Sequence, residues 1–150
     1  MPMTSTAVYP QTPGLATAIL QNSTGAFTFA AASNTTTNLV ALVTGSTNGT
    51  FVNALWATTT DTSANTLILI LNNGTYNLVV SEYNIPLTAG FATAVPPVDL
   101  LRNSQTPGMP FDTNQNRYIF VPSGSTLYIG TTTVVTSAKQ VSVFAVTEAF

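Results

Sequence analysis

The segment Asn65–Tyr83, NTLILILNNGTYNLVVSEY, restricts the fold more than any other part of the chain. Five successive aliphatic residues, Leu67–Leu71, occupy both faces of a pleated strand, so neither face is expected to meet water. Asn73 and Gly74 then predict a two-residue type I′ turn, in which both residues adopt positive φ. A strand that is apolar on both faces needs a second sheet over it or a partner subunit.

The strand that returns from this turn alternates in polarity. Its two faces are predicted to carry, respectively, Tyr76, Leu78, Val80 and Glu82, and Asn77, Val79 and Ser81. The segment is therefore predicted to be a β-hairpin.

The rest of the chain also favours strands over helices. Threonine, which is β-branched and suits strands, occupies 28 positions. Turn signals separate the apolar runs, as in Gly45–Gly49 and Pro122–Gly124. Outside the hairpin, strands are predicted at Ala26–Ala30, Leu39–Val43, Thr50–Thr59, Tyr118–Val121, Thr126–Gly130 and Gln140–Val146. About eight short strands with turns between them indicate an all-β sandwich or barrel.

Two segments depart from this pattern. Residues 1–25 contain three prolines within the first thirteen residues, which argues against a central strand and predicts an extended arm. A frayed terminus is the open alternative. Residues 89–116 are rich in proline and are predicted to form one long irregular loop, with a helical turn at Val98–Arg102. A length of 150 residues indicates one domain, placed at 26–150 behind the arm.

The charge content excludes several classes of partner. Charged residues make up 5% of the chain, the net charge is −2, and the only cations are Arg102, Arg117 and Lys139. Three scattered cations do not form the basic face that nucleic acid requires. The longest strictly aliphatic run, Leu67–Leu71, is far shorter than the roughly 20 residues of a membrane helix. A net charge near zero favours association with further copies or with a larger structure.

The sequence contains few candidate residues for catalysis or metal binding. The chain has no histidine and no cysteine, which removes the common triads, thiol nucleophiles and transition-metal sites. Its acids are isolated in sequence, so no cofactor, metal or catalytic residue is assigned. They are Asp61, Glu82, Asp99, Asp112 and Glu148. Glu82 is the most notable acid because it shares a predicted face with apolar side chains, although a solvated or paired carboxylate is the favoured interpretation. Turn formation accounts for Asp61 and Asp112.

The aromatic residues and the sequons admit two interpretations each. Packing in the core is favoured for the aromatic side chains on predicted strands, and a sugar-binding platform is the alternative. These residues are Trp56, Phe120, Tyr128 and Phe144. Sequons begin at Asn22, Asn34, Asn48 and Asn73; glycosylation is one interpretation, and chance occurrence in a chain rich in asparagine and threonine is the favoured one.

Three segments resemble small structural proteins that are common in tailed-phage genomes. The segments are LILILNNGTYNLVVSEYNIPL, VPSGSTLYIGTT and VSVFAVTEAF. Some proteins of this group look like jelly-roll decoration (cement) proteins, which sit on the phage head and are often trimers. The resemblance covers mainly residues 50–88 and 117–150, while 1–25 has no clear counterpart. It implies an antiparallel, jelly-roll-like β-sandwich on the capsid surface, made in the host cytoplasm.

The first functional hypothesis is therefore a capsid decoration protein that binds the major capsid protein, forms a homotrimer and has no nucleic-acid or membrane partner. The second is a tail, baseplate or head-fibre component, with carbohydrate binding as one option. An enzyme is the third and weakest hypothesis.

Overall fold

The computed structural model describes residues 12–29, 34–102 and 115–150, and these ranges form an antiparallel β-sandwich with a jelly-roll-like arrangement. The described residues contain nine strands and a 3₁₀ helix at Asn22–Thr24. The strands are β1 Thr12–Gln21, β2 Val40–Thr44, β3 Thr50–Thr59, β4 Asn65–Asn72, β5 Asn77–Ile85, β6 Val98–Asp99, β7 Ile119–Val121, β8 Thr126–Thr131 and β9 Gln140–Ala149. The predicted all-β sandwich is confirmed.

The strands divide into two sheets. Sheet A has the order β1-β9-β3-β6, and β7 pairs with β3 beside β6. Sheet B has the order β2-β8-β4-β5. The inward side chains of both sheets form one core that is almost fully excluded from solvent, including Leu55, Leu69, Ile129 and Val143. Alternation along β3 and β9 places their other side chains on the outside of sheet A.

The doubly apolar strand β4 is buried on both faces, as its sequence predicts. Leu67 and Leu69 belong to the core between the sheets. Ile68 and Ile70 point away from that core, yet both are 0% exposed. Phe27, Leu39 and Tyr128 cover them, so the chain itself closes this part of the outer face of sheet B, while Val79 on the same face is 49% exposed. This cover replaces the partner subunit that the strand could otherwise have required.

Gly130 of β8 makes this cover possible. It lies opposite Ile68 across the sheet, on the same outer face. A Cβ atom at position 130 would lie 2.6 Å from Cδ2 of Leu39 and 3.4 Å from Cβ of Phe27. The missing side chain therefore allows the covering segment to approach sheet B closely.

The prediction of an extended arm is corrected for residues 12–21. These residues form β1, which pairs with β9 along its whole length at the edge of sheet A. The prolines do exclude a central position, but Pro13 is accommodated on an edge strand, where one side needs no ladder bonds. Residues 1–11 of the expected arm lie outside the described residues.

The hairpin forms with a different turn from the predicted one. Gly74 has φ of 85°, but Asn73 is not among the residues with positive φ, so the type I′ turn is wrong. The loop instead spans four residues between Asn72 and Asn77, which are paired. The side chain of Asn73 accepts hydrogen bonds from the backbone N–H groups of Thr75 and Tyr76, at 3.0 and 2.8 Å. An asparagine-capped loop of this kind does not require positive φ at residue 73.

A bulge in β5 changes which face its residues occupy. Ser81 lies opposite Leu69 and Val79 lies opposite Ile70, so Val80 is the additional residue. Beyond the bulge, Glu82 lies opposite Ile68, on the outer face that also carries Val79. The predicted common face of Glu82 with Leu78 is therefore wrong.

Three other local predictions are tested. Residues 26–29 are not a strand, although the N–H of Phe27 donates to the carbonyl of Thr131 at 2.8 Å; residue 30 lies outside the described residues. The helical turn at Val98–Arg102 is wrong, because Val98–Asp99 is strand β6. Ala89–Pro97 is irregular, as expected, and 103–114 lies outside the described residues.

Candidate interaction surface

Among the described residues, most of the outward-facing aromatic side chains lie on the outer side of sheet A. Cross-strand register places Thr17, Phe144 and Trp56 in one row across β1, β9 and β3. Leu15, Val146 and Ala54 form the neighbouring row. Phe120 of β7 lies opposite Phe51 of β3. We define the aromatic face by Leu15, Ile19, Phe51, Trp56, Tyr118, Phe120, Phe144, Val146 and Phe150.

Ring contacts organise this aromatic face into two groups. The Trp56 and Phe144 rings stack with centroids 5.2 Å apart and an interplanar angle of 19°. Phe51 is the centre of the second group, with Tyr118, Phe120 and Phe150 at centroid distances of 4.9, 5.2 and 4.9 Å. Tilted and edge contacts of this kind add about 0.5–1.5 kcal/mol per pair beyond the area they bury. The rings are therefore held in place before any partner binds.

Backbone contacts fix the second group further. The N–H of Phe150 donates to the carbonyl of Gly49 at 3.2 Å, and Ser46 Oγ donates to the carbonyl of Phe150 at 3.0 Å. The ring of Phe120 lies over Gly49, where a Cβ atom would be 2.2 Å from Cζ. Asn48, Phe51, Phe120 and Phe150 together line a shallow apolar depression of about 410 Å³.

The aromatic face is partly exposed, in contrast to Ile68 and Ile70 on the outer face of sheet B. Leu15 is 62% exposed, Ile19 47% and Phe120 42%. Within the described ranges no segment covers these side chains as Phe27 and Leu39 cover Ile68 and Ile70. An extended apolar face on a protein surface typically marks an interaction site.

A groove opens beside the aromatic face, where β6 meets β3. We call it the arginine groove and define it by its lining residues, Asn53, Ala54, Leu55, Trp56, Pro97, Asp99, Leu101, Arg102 and Arg117. Its volume is about 300 Å³. Asp99 Oδ1 accepts hydrogen bonds from the backbone N–H groups of Leu101 and Arg102, at 2.9 and 3.0 Å. These bonds turn the chain after β6 and place Arg102 at the groove.

The acids of the sequence lie on separate elements. Asp61 follows β3, Glu82 lies on β5, Asp99 on β6 and Glu148 on β9, while Asp112 lies outside the described residues. Asp99 lies opposite Trp56 and Glu148 opposite Phe51, so five residues of β3, or about 15 Å, separate them. That separation exceeds the roughly 5–9.5 Å between the carboxyl groups of glycosidases. No group of three or more acidic residues suited to a metal ion occurs in the described part of the chain.

The burial and hydrogen bonds of Asp61 indicate a role in stabilising the fold. Its carboxylate is buried and accepts hydrogen bonds from Ser63, Asn65 and Thr136. Burial by itself raises the pKa of a carboxyl group, but the hydrogen bonds from Thr136, Ser63 and Asn65 outweigh burial and hold the pKa of Asp61 well below its usual range. The predicted turn role is confirmed by the bond from the N–H of Ser63, and the link to Thr136 is additional.

The sequence placed the aromatic residues on the correct strands but assigned three of them to the wrong environment. Trp56, Phe120 and Phe144 lie on the outer face of sheet A rather than in the core, and Tyr128 packs in the small cluster outside sheet B. Alternation along β3 contained the signal, because Trp56 is out of phase with the buried Leu55 and Ala57. Sheet pairing was needed to bring Trp56 and Phe144 together.

Comparison with known proteins finds no matching family model, no matching curated protein and no matching solved structure. The described residues include no helix of the length and apolar character that a membrane span requires.

Proposed function

We propose that this chain is a structural protein of a tailed-phage virion, and specifically a capsid decoration protein. The observation that carries the proposal is the aromatic face of sheet A, which no described segment covers, whereas Phe27 and Leu39 cover Ile68 and Ile70 on the outer face of sheet B. The resemblance of three segments to phage decoration proteins supports the same assignment. In this function the aromatic face binds the major capsid protein on the outside of the head and stabilises contacts between capsid subunits.

The size of the aromatic face suits attachment in many copies. The three strands of ten residues are each about 34 Å long at about 3.4 Å per residue and together about 14 Å wide, and the short strands β6 and β7 extend the sheet beside β3. The resulting face of about 600 Å² lies below the roughly 800 Å² that each partner contributes to a standard interface. One copy would therefore bind modestly, and association of copies into a trimer would raise the overall affinity through avidity.

The proposal places the protein on the capsid surface after synthesis in the host cytoplasm, as a homotrimer, and gives it no catalytic role, cofactor or metal. Attachment rests on burial of apolar surface, because the chain carries only three cations and five acids. Weak dependence of attachment on salt concentration is therefore expected.

The first experiment separates purified virions into heads and tails and measures the copy number of the chain in each fraction by quantitative mass spectrometry. Hundreds of copies with the heads are the expected result. A few copies confined to tails would contradict decoration, and absence from particles would contradict both virion functions.

A second experiment maps the attachment surface by co-sedimentation with heads that lack the protein. Phe120→Ser removes a ring of the aromatic face, and Phe91→Ser removes an exposed ring from the irregular segment after β5 as the matched control. We expect at least about tenfold weaker binding for Phe120→Ser and less than about twofold for Phe91→Ser, since hot-spot rings contribute 2 kcal/mol or more. Equal effects would contradict attachment through the aromatic face, provided that thermal unfolding shows both variants folded.

The second candidate function is a tail, baseplate or head-fibre component with an adhesive role. The partly exposed Trp56 favours it, because an indole ring is a common contact for ligands with apolar faces. Recovery in the tail fraction, together with binding to a glycan array, would support this alternative over decoration.

A further inference from the structure

The apolar depression on the aromatic face is lined by Asn48 and by three phenylalanine rings that face different directions. The ring of Phe51 contacts those of Phe120 and Phe150, at centroid distances of 5.2 and 4.9 Å. The planes of these two rings make angles of 56° and 87° with the plane of Phe51. Rings inclined in this way contact one compact group from several sides.

One carboxylate lies beside these rings. Glu148 of β9 is directly opposite Phe51 of β3, and Phe150, which follows it by two residues, contacts the same Phe51 ring. The Glu148 side chain is partly exposed, and its carboxylate has no ion pair or hydrogen bond with another described residue. Because cross-strand neighbours have Cβ atoms about 5 Å apart, its charge lies within about one Debye length of the Phe51 ring at physiological ionic strength.

The lysine and arginine side chains of the protein do not neutralise this carboxylate. All three belong to the described residues, and none forms an ion pair with Glu148. The residues outside the described ranges contain no lysine, arginine or histidine. At the depression itself, the exposed side-chain amide of Asn48 also has no hydrogen bond to another described residue. An unpaired carboxylate and an available amide oxygen therefore accompany the three rings.

We propose that the apolar depression binds an alkylammonium group. The group is supplied by a lysine side chain of the major capsid protein, and this source rests on the proposed function. The ammonium lies against the faces of Phe51, Phe120 and Phe150, because the ring quadrupole attracts a cation. Glu148 balances its charge, and Asn48 Oδ1 accepts one of its three N–H donors.

Shape and charge together favour an ammonium over other side chains. A guanidinium group is planar and stacks on a single flat ring, whereas a compact ammonium contacts inclined rings from several sides. A neutral apolar side chain would remove water from the Glu148 carboxylate without giving it a partner, which costs free energy. An acidic side chain would be repelled by the same carboxylate.

A titration of the full-length protein tests this preference directly. The probes are butylammonium, butylguanidinium and butanol, which has the same alkyl chain without a charge. Ionic strength is held constant, and NMR follows the side-chain amide of Asn48 and the backbone amide of Gly49. We expect butylammonium to bind at least about threefold more tightly than butanol, because cation–π and ion-pair attraction act only on the charged group. Butylguanidinium should bind more weakly than butylammonium.

Substitutions assign the preference to the rings and the carboxylate. Phe120→Leu keeps an apolar side chain and removes one π face, and Glu148→Gln keeps the side-chain size and removes the charge. Each should reduce the preference for butylammonium over butanol by at least about half, while the affinity for butanol changes less than about twofold. Glu82→Gln is the matched control, because it makes the same change at an exposed position of sheet B and should leave the preference unchanged. Thermal unfolding establishes that each variant is folded.

Co-sedimentation with heads that lack the protein tests the source of the ammonium group. Acetylation of the lysines on these heads removes their charge. It should weaken attachment of the unmodified protein at least about threefold and that of Glu148→Gln less than about twofold. If untreated heads bind neither protein, the proposed function is contradicted, and the titration still decides whether the depression selects an ammonium.

Several results would overturn the inference. In the titration these are equal affinity for butylammonium and butanol, tighter binding of butylguanidinium, or no binding of butylammonium. Among the variants they are an undiminished preference in Glu148→Gln or Phe120→Leu, or an equal loss in Glu82→Gln. Acetylation that weakens attachment of the unmodified protein and of Glu148→Gln equally would overturn the assignment to a capsid lysine.

Discussion

Substitution of Asp61 by asparagine tests how a buried carboxylate joins two loops of the sandwich. Asp61 Oδ1 accepts from the N–H of Ser63 at 3.0 Å and from Thr136 Oγ1 at 2.7 Å. Its Oδ2 accepts from the N–H of Thr136 at 3.0 Å and from Asn65 Nδ2 at 3.2 Å. The carboxylate thereby connects the loop after β3 to the loop before β9, positions 75 residues apart in sequence.

An asparagine at position 61 keeps one acceptor oxygen and places an NH₂ group opposite two donors. The backbone N–H that faces this NH₂ group loses its acceptor, and the hydrogen bonds that remain are made to a neutral group. Hydrogen bonds to charged groups contribute about 1.5–3 kcal/mol each, so the loss in the free energy of unfolding is expected to be about 3 kcal/mol or more. For a domain of this size, that loss lowers Tm by about 6–12 °C.

The measurement is urea unfolding at pH 7, followed by the fluorescence of Trp56 and analysed as a two-state transition. Glu82→Gln is the matched control, because it makes the same carboxyl-to-amide change at an exposed position and is expected to cost less than about 0.5 kcal/mol. Equal stability of Asp61→Asn and the unmodified protein at pH 7 would refute the reasoning.

The pH dependence gives a second readout of the same substitution. The pKa of Asp61 is lower in the folded chain than the ordinary value of 3.8. Its contribution to stability is therefore fully present above the unfolded pKa and is lost as the pH falls through the folded value. The stability gap between the unmodified protein and Asp61→Asn should narrow from about pH 5 downward. A gap that stays constant between pH 7 and about pH 2 would contradict this account.

Two further predictions concern the covered and the exposed outer faces. Phe27→Ala should lower the free energy of unfolding by about 3 kcal/mol, because it uncovers Ile68 and Ile70. Phe29→Ala is the control, because the Phe29 ring is exposed and makes an edge contact with Phe27. Equal losses for the two variants in urea unfolding would contradict the covering role of Phe27. Gly49→Ala should lower the free energy of unfolding by about 1–3 kcal/mol, because φ at this position is 94° and the new Cβ atom would clash with the Phe120 ring. An unchanged Tm in thermal unfolding would refute this prediction.

The strands that the sequence predicts best are those in which local pattern and tertiary environment agree. Strand β3 runs over Thr50–Thr59 as predicted, and β2 and β9 differ from prediction only at their ends. The turn at Pro122–Gly124 is also confirmed, with the N–H of Ser125 donating to the carbonyl of Pro122 at 3.1 Å. In these segments alternation, β-branched residues and turn residues all favour the same local structure.

Local patterns failed where pairing decided the outcome. Strand β1 contains Pro13 and Gly14, which lower its intrinsic preference for a strand, and ten residues of pairing with β9 outweigh that preference. The bulge at Val80 switches the faces that the later residues of β5 occupy, and no residue type in the hairpin sequence predicts a bulge there. Register is a property of two strands, so one strand's sequence does not specify it.

Residue pattern and composition were enough to predict a β protein with one strand buried on both faces, few charges and no histidine or cysteine. Which apolar faces are covered depends on tertiary contacts. The outward side chains of β4, Ile68 and Ile70, are covered by Phe27 and Leu39. The outward aromatic side chains of β3 are also apolar, yet no described segment covers them. The physical reason is that burial depends on which distant segment crosses a face, and the period of a strand carries no information about that crossing.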